Sequence, residues 1–104
     1  MSTEKELITT GIGELEENVT LFYQQKTGEA LRKFSSVLDR VLEIVDTLFF
    51  YKKEHEDFVL DEIRVKDTLT EAMNALDDGD MILLADIIQY DFIEYIGEVA
   101  EAIE

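Results

Sequence analysis

One stretch decides the fold: residues 29–53, which read EALRKFSSVLDRVLEIVDTLFFYKK. Its apolar side chains recur every three or four positions, which is the period of an α-helix. The central stripe is Leu31, Phe34, Leu38, Val41, Val45 and Leu48, and it is widened on both sides by Val37, Leu42, Ile44 and Phe49. A stripe of this width contacts two neighbouring elements, as a helix of a bundle does. We therefore predict a long helix in an all-α protein.

The same periodicity extends over most of the remaining chain. Further helices are predicted at about residues 4–25, 61–76 and 81–103, and no proline interrupts any of them. Residues 54–62 share no helical phase with the helix after them and are expected to form a connector, a kink or an early helical turn. Short connections favour antiparallel neighbours. We predict an all-α, antiparallel up-down helical bundle of three to four helices, with residues 1–104 forming a single domain.

Two glycines have specific predicted roles. Gly11 falls near the apolar face that Ile8, Leu15 and Val19 form on the first helix, so it is expected to permit a close helix crossing. The alternative is a frayed start, with the helix beginning near Gly13. Gly79 suits the left-handed position after a helix, and the aspartate that comes next suits the N-cap of the following helix.

The charge distribution limits the classes of partner. The chain has a net charge of −16, and from Asp67 to its end it has eleven carboxylates and no Lys, Arg or His. Such a field repels nucleic acid and anionic membranes and attracts basic protein. We therefore expect a protein partner or a second copy of the chain, a homodimer, with no nucleic acid and no membrane. Cysteine is absent, which fits a reducing compartment and a cytoplasmic protein.

Four apolar residues are candidates for partner contact. Leu83, Ile87 and Tyr90 recur at helical spacing on the side of the last helix opposite its predicted core face. Phe50 points away from the stripe of its own helix, among acidic neighbours. The alternative is that a neighbouring helix or a homodimer buries these residues.

Four carboxylates are candidate metal ligands. Glu14-x-x-Glu17 followed by Glu43-x-x-Asp46 resembles the spacing in all-helical nucleotide pyrophosphohydrolases of the MazG type, which hold Mg²⁺ with such pairs. In a second, partial match around Glu71 and Asp86, Asn74 and Leu83 replace two of the four acids. Among 25 acidic residues such short motifs also arise by chance, as a solvated face. Mg²⁺ is expected only under this enzyme hypothesis; otherwise we expect no cofactor and no catalytic residues.

A second resemblance covers about a fifth of the chain. Residues 75–92, ALDDGDMILLADIIQYDF, resemble the C-terminal signature of small acidic helical proteins of Gram-positive bacteria that have no assigned function. This resemblance implies an all-helical fold and no active site. The small size, acidity and amphipathic helices are similar to those of bacterial secretion and flagellar export chaperones, which implies a role in holding a helical client.

These observations support three hypotheses. The first is a non-enzymatic interaction module, an acidic helical bundle acting as a small chaperone or adaptor for a basic or amphipathic partner. The second is the Mg²⁺-dependent MazG-like pyrophosphohydrolase. The third is an acidic protein that mimics nucleic acid, for which composition is the only support.

Overall fold

Four helices make up a computed structural model that describes residues 3–103. Helix α1 is Thr3–Tyr23, α2 is Thr27–Glu54 and α3 is Glu62–Asp77. The fourth, here called the C-terminal helix, runs without a break through α4 (Met81–Asp86), a π-helical segment (Ile87–Ile93) and α5 (Glu94–Ala100). No strand occurs in residues 3–103, so the predicted all-α bundle is confirmed. The predicted domain of residues 1–104 includes three residues, 1, 2 and 104, outside the described range.

Helix α1 is the centre of the packing. It contacts α2 on one side and all three parts of the C-terminal helix on the other, while α3 packs against the C-terminal helix. Its buried apolar residues are at most 2% exposed: Ile8, Leu15, Val19 and Phe22. Helices α2 and α3 make few close backbone contacts, so these two helices lie apart at one side of the bundle. None of the described helices is long and apolar enough to cross a membrane.

Gly11 lies where α1 and α2 come closest. A Cβ atom at this position would be 2.7 Å from Cδ1 of Ile44, a side chain that is fully buried in α2. The predicted close crossing at Gly11 is therefore confirmed. Two positions further along, Gly13 faces open space, with no atom within 4 Å of a Cβ placed there.

Residues 55–61, for which the sequence left three alternatives open, form a loop that contributes to the core. Phe58 and Leu60 are buried and Val59, between them, is 82% exposed. His55 forms the C-cap of α2: its backbone N–H donates to the carbonyl of Tyr51, and its ring stacks on that of Tyr51 at 3.9 Å. Lys52 donates to the carbonyl of Phe58 at 2.6 Å, which holds the loop against the end of α2.

The turn between α3 and the C-terminal helix has the predicted chemistry. Gly79 has φ of +74°, and the N–H of Asp80 bonds the carbonyl of Ala75, as in a Schellman motif. The Asp80 side chain then accepts a hydrogen bond from the N–H of Leu83 at 3.0 Å, which caps the next helix.

The π-helical segment changes which residues of the C-terminal helix share a face. In a π-helix the hydrogen bonds join residues five apart, so side chains five apart come to lie one above the other. Ile87 and Phe92 form one such pair and Ile88 and Ile93 another, and all four are buried. The chain thereby turns a wide apolar surface toward α1, α2 and α3.

We predict opposite effects for alanine at the two glycines of α1. Alanine is favoured over glycine within a helix by about 0.5–1 kcal/mol. At Gly13 nothing offsets that gain, so Gly13→Ala should raise the free energy of unfolding by this amount. At Gly11 the methyl group overlaps Ile44, so Gly11→Ala should lower it by about 1 kcal/mol. Urea denaturation followed by circular dichroism measures both changes. An equal stabilisation by the two substitutions would contradict the close crossing.

Candidate functional site

An acidic concavity lies between α3 and the C-terminal helix. It consists of two adjoining clefts of about 350 and 360 Å³ that share Glu71 on α3 and Asp91 on the π-helical segment. The first cleft extends to Ile63 at the start of α3, and the second extends to Leu83 on α4. We call the two together the α3 cleft.

Hydrogen bonds fix the first end of the α3 cleft. Asp61 is the N-cap of α3, and its carboxylate accepts a hydrogen bond from the N–H of Arg64 at 3.0 Å. The backbone N–H of Asp61 donates to the hydroxyl of Tyr95 at 2.9 Å. The guanidinium of Arg64 lies over the ring of Tyr95, 4.1 Å from its centre. These contacts join the start of α3 to α5 and hold the one cation of this end of the cleft against an aromatic ring.

Five carboxylates line the α3 cleft, and none of them has an ion pair with a residue of the range 3–103. They are Asp61, Asp67, Glu71, Asp78 and Asp91, all exposed. The acids Glu14, Glu29 and Glu43, which are ion-paired, lie on α1 and α2. Because like charges repel, the cleft has a negative potential that a cationic ligand would relieve.

A hydrogen bond joins the end of α1 to the C-terminal helix. The hydroxyl of Tyr23, at the end of α1, donates to the carboxylate of Asp86 at 2.5 Å. Partial burial of the phenol, this hydrogen bond and the negative charge of Asp86 raise the pKa of Tyr23 to about 12. Tyr90 lies close enough to add to the same shift.

The four apolar candidates do not form one surface. Leu83, which is 46% exposed, lines the α3 cleft, whereas Tyr90 lies near Tyr23 on the other side of the helix. Phe50 is 65% exposed on α2. The prediction that Ile87 is exposed beside Leu83 and Tyr90 is wrong, because Ile87 is only 7% exposed. It begins the π-helical segment, where spacing by five places it with Phe92 against the core.

The four candidate metal ligands do not surround a common point. Arg40 lies between two of them: it donates to both carboxylate oxygens of Glu14, at 2.9 and 3.1 Å, and to Glu43 at 2.8 Å. These contacts, led by the hydrogen bonds to Glu14, raise the pKa of Arg40. Glu17 shares a cleft with Glu14, and Lys33 lines the same cleft. Within residues 3–103 no three acidic, His or Cys side chains are grouped as metal ligands.

The second partial match to the pyrophosphohydrolase spacing is also divided by the fold. Glu71 lines the α3 cleft, whereas the carboxylate of Asp86 is bonded to Tyr23 on the α1 side.

Comparison with known families then identifies the chain. The profile of a family described as a domain of unknown function, DUF8042, matches residues 1–102. The chain belongs to this family. No curated protein and no solved structure matches it.

In this DUF8042 protein the sequence singled out Leu83 and Glu71 of the α3 cleft, but it did not indicate that Glu71 and Asp91 share a cleft. The basic-free region after Lys66 indicated an acidic surface, but eleven carboxylates share that region. Glu71 and Asp91 are 20 positions apart and lie on different helices. Only the packing of α3 against the π-helical segment brings them to one cleft.

We predict that Tyr23 stabilises the DUF8042 fold in a pH-dependent manner. Its pKa is higher in the folded chain, about 12, than its ordinary value of 10.0, so the fold favours the protonated phenol. The stabilisation is complete below pH 10 and is lost as the pH rises toward 12. Tyr23→Phe should therefore cost about 1 kcal/mol at neutral pH, and the difference should shrink above pH 10.

Two measurements check this prediction. Denaturation by urea at several pH values should show the two proteins converging in stability as the pH rises. Near-ultraviolet titration should show a late-titrating tyrosine in the parent that Tyr23→Phe lacks. Loss of a tyrosine that ionises near pH 10 in the substituted protein would contradict the prediction.

Proposed function

We propose that the DUF8042 chain is a non-enzymatic interaction module whose α3 cleft binds a basic, amphipathic segment of a partner protein. The observation that carries the proposal is the convergence of uncompensated carboxylates from α3 and the C-terminal helix, with an exposed apolar side chain at each end. Such a surface offers charge complementarity to Lys and Arg, and apolar contact to Leu-like side chains.

The dimensions of the cleft suit a short segment. Ile63 and Asp78 mark its extent along α3, and 15 residues of helix span ~22 Å. A partner helix of about four turns covers that length. Ile63 is 73% exposed and Leu83 46%, so both can lose apolar surface on binding. The central acids Glu71 and Asp91 would then face the basic side of the partner.

Charge and apolar contact would contribute to partner binding in different ways. The chain has a net charge of −16, which accelerates the approach of a basic partner and keeps anionic surfaces away. Leu83 and Ile63 would favour partners that also have apolar side chains at the correct spacing. A chaperone-like or adaptor-like protein needs both properties, because it must bind an amphipathic client and remain soluble.

The other expectations stay predictions. A cytoplasmic location and a bacterial origin have no further support. The pyrophosphohydrolase hypothesis gains nothing from the site geometry, because Arg40 is ion-paired with both Glu14 and Glu43 and offsets part of their charge. No distance or contact favours a mimic of nucleic acid.

We predict that the charge of the α3 cleft determines peptide affinity. The probe is a fluorescent synthetic peptide of about 15 residues, with lysines and leucines on opposite faces of a helix. Replacing both shared acids, Glu71→Gln with Asp91→Asn, should weaken binding roughly five- to thirtyfold, since each exposed pair contributes about 0.5–1 kcal/mol. Fluorescence anisotropy measures the affinity, which should fall as the salt concentration rises.

A matched control separates the cleft from overall charge. The pair Glu16→Gln with Glu98→Gln removes the same two charges from exposed positions outside the cleft. This pair should retain most of the affinity, and a peptide with glutamates in place of lysines should not bind. Equal losses for the two pairs would mean that the peptide responds to net charge alone and that the α3 cleft is not its site.

A further inference from the structure

One edge of the apolar face predicted for α2 lies outside the core, and its own chain leaves this edge partly uncovered. It consists of Leu31, Leu38, Leu42 and Phe49, separated by seven, four and seven positions, and such spacing places all four on one narrow face. Leu31 and Leu42 are 43% and 50% exposed, and Leu38 and Phe49 are partly buried. We call this the α2 stripe.

The α2 stripe borders the side of the bundle where α2 and α3 lie apart. Between these helices and the π-helical segment is an apolar cavity of about 20 Å³, lined by Leu38 from α2 and by Leu69 and Met73 from α3. At the other end of the stripe, Lys66 of α3 lies 5.9 Å from the ring centre of Phe49. Beside these contacts, Leu31 and Leu42 of the stripe remain exposed.

The net charge of α2 indicates that a second copy of the chain can cover the stripe. Helix α2 contains five basic residues (Arg32, Lys33, Arg40, Lys52, Lys53) and five acidic ones (Glu29, Asp39, Glu43, Asp46, Glu54), a net charge of zero. The other described helices are all net negative. Two chains of charge −16 repel each other. Among the described helices, α2 is thus the surface along which two copies can approach with the least repulsion.

The four residues of the stripe are also placed symmetrically about residue 40, as a two-fold axis at that position requires. Leu31 and Phe49 are each nine positions from residue 40, and Leu38 and Leu42 are each two positions from it. In an antiparallel pair centred there, Leu31 meets the partner's Phe49 and Leu38 meets the partner's Leu42. Such self-complementarity is what a symmetric dimer requires.

The charges beside the stripe favour the antiparallel orientation. It brings Arg32 near the level of the partner's Asp46, so opposite charges meet twice across the axis. A parallel pair would instead place Lys52 and Lys53 against the same residues of the partner. Asp39 would meet the partner's Asp39 near the axis, a like-charge contact that salt screens.

We infer that a second copy of this chain covers the α2 stripe, forming a symmetric dimer through an antiparallel α2 pair. The stripe from Leu31 to Phe49 is ~27 Å long, which corresponds to a small interface. Monomer and dimer should therefore exchange with protein concentration, and the dimer should gain from added salt. The α3 cleft lies on other helices and stays accessible in both copies.

Sedimentation velocity over a range of protein and salt concentrations tests the dimer. Leu42→Glu should raise the dissociation constant by about a hundredfold or more, since each dimer loses two buried leucines and gains two carboxylates. Leu83→Glu makes the same chemical change in the α3 cleft and should leave dimerisation unchanged. Circular dichroism verifies that both variants keep their helical content. A parent that stays monomeric at high concentration and high salt would overturn the inference, as would equal effects of the two substitutions.

Disulfide trapping tests the register, because the chain has no cysteine of its own. A mixture of Leu31→Cys and Phe49→Cys proteins should give the mixed dimer on mild oxidation, and neither protein should link to itself. Self-linking of either variant, or no mixed product, would overturn the antiparallel pairing.

The salt dependence separates this inference from the proposed function. Salt should strengthen the dimer and weaken peptide binding in the α3 cleft. Experiments can therefore contradict the dimer without contradicting peptide binding, and the reverse.

Discussion

The burial of the apolar face of α1 is the constraint on which the rest of the structure depends. Helix α1 packs against α2 on one side and the whole C-terminal helix on the other, with Ile8, Leu15, Val19 and Phe22 removed from water. Removing that much apolar surface from water is the main favourable term in folding. The absence of a side chain at Gly11 lets α2 approach closely enough for Ile44 to complete this core. Helices α2 and α3 make few close backbone contacts, and their side chains meet around an apolar cavity beside the π-helical segment.

This arrangement leaves two surfaces at the edges of the bundle that are available for contact. Where α3 packs on the C-terminal helix, the helices are close but their acidic side chains leave the α3 cleft between them. Where α2 faces α3, the helices lie apart and apolar side chains remain partly exposed. The first edge is complementary to basic groups and the second to another apolar surface. If both proposals hold, the neutral α2 and the acidic α3 cleft would bind different partners.

The π-helical segment determines which residues reach each edge. Spacing by five turns Ile87, Ile88, Phe92 and Ile93 toward the core, and it leaves Asp91 beside Glu71 in the α3 cleft. On the other side, Tyr90 lies near the hydrogen bond between Tyr23 and Asp86 that joins the end of α1 to the start of this segment. One local departure from α-helical geometry therefore positions residues for the core, the cleft and the α1 contact.

The sequence by itself determined the helical class, the helix boundaries to within a few residues, the turn at Gly79 with its cap at Asp80, and the close crossing at Gly11. These features depend on local spacing and local backbone chemistry, which short-range physics specifies. Only the tertiary structure decided that Ile87 is buried, that Arg40 bridges Glu14 and Glu43, and that Glu71 and Asp91 share a cleft. The first depends on a π-helix that assumed α-helical periodicity does not predict. The other two depend on which helices become neighbours, and that is set by how all the apolar faces are buried together.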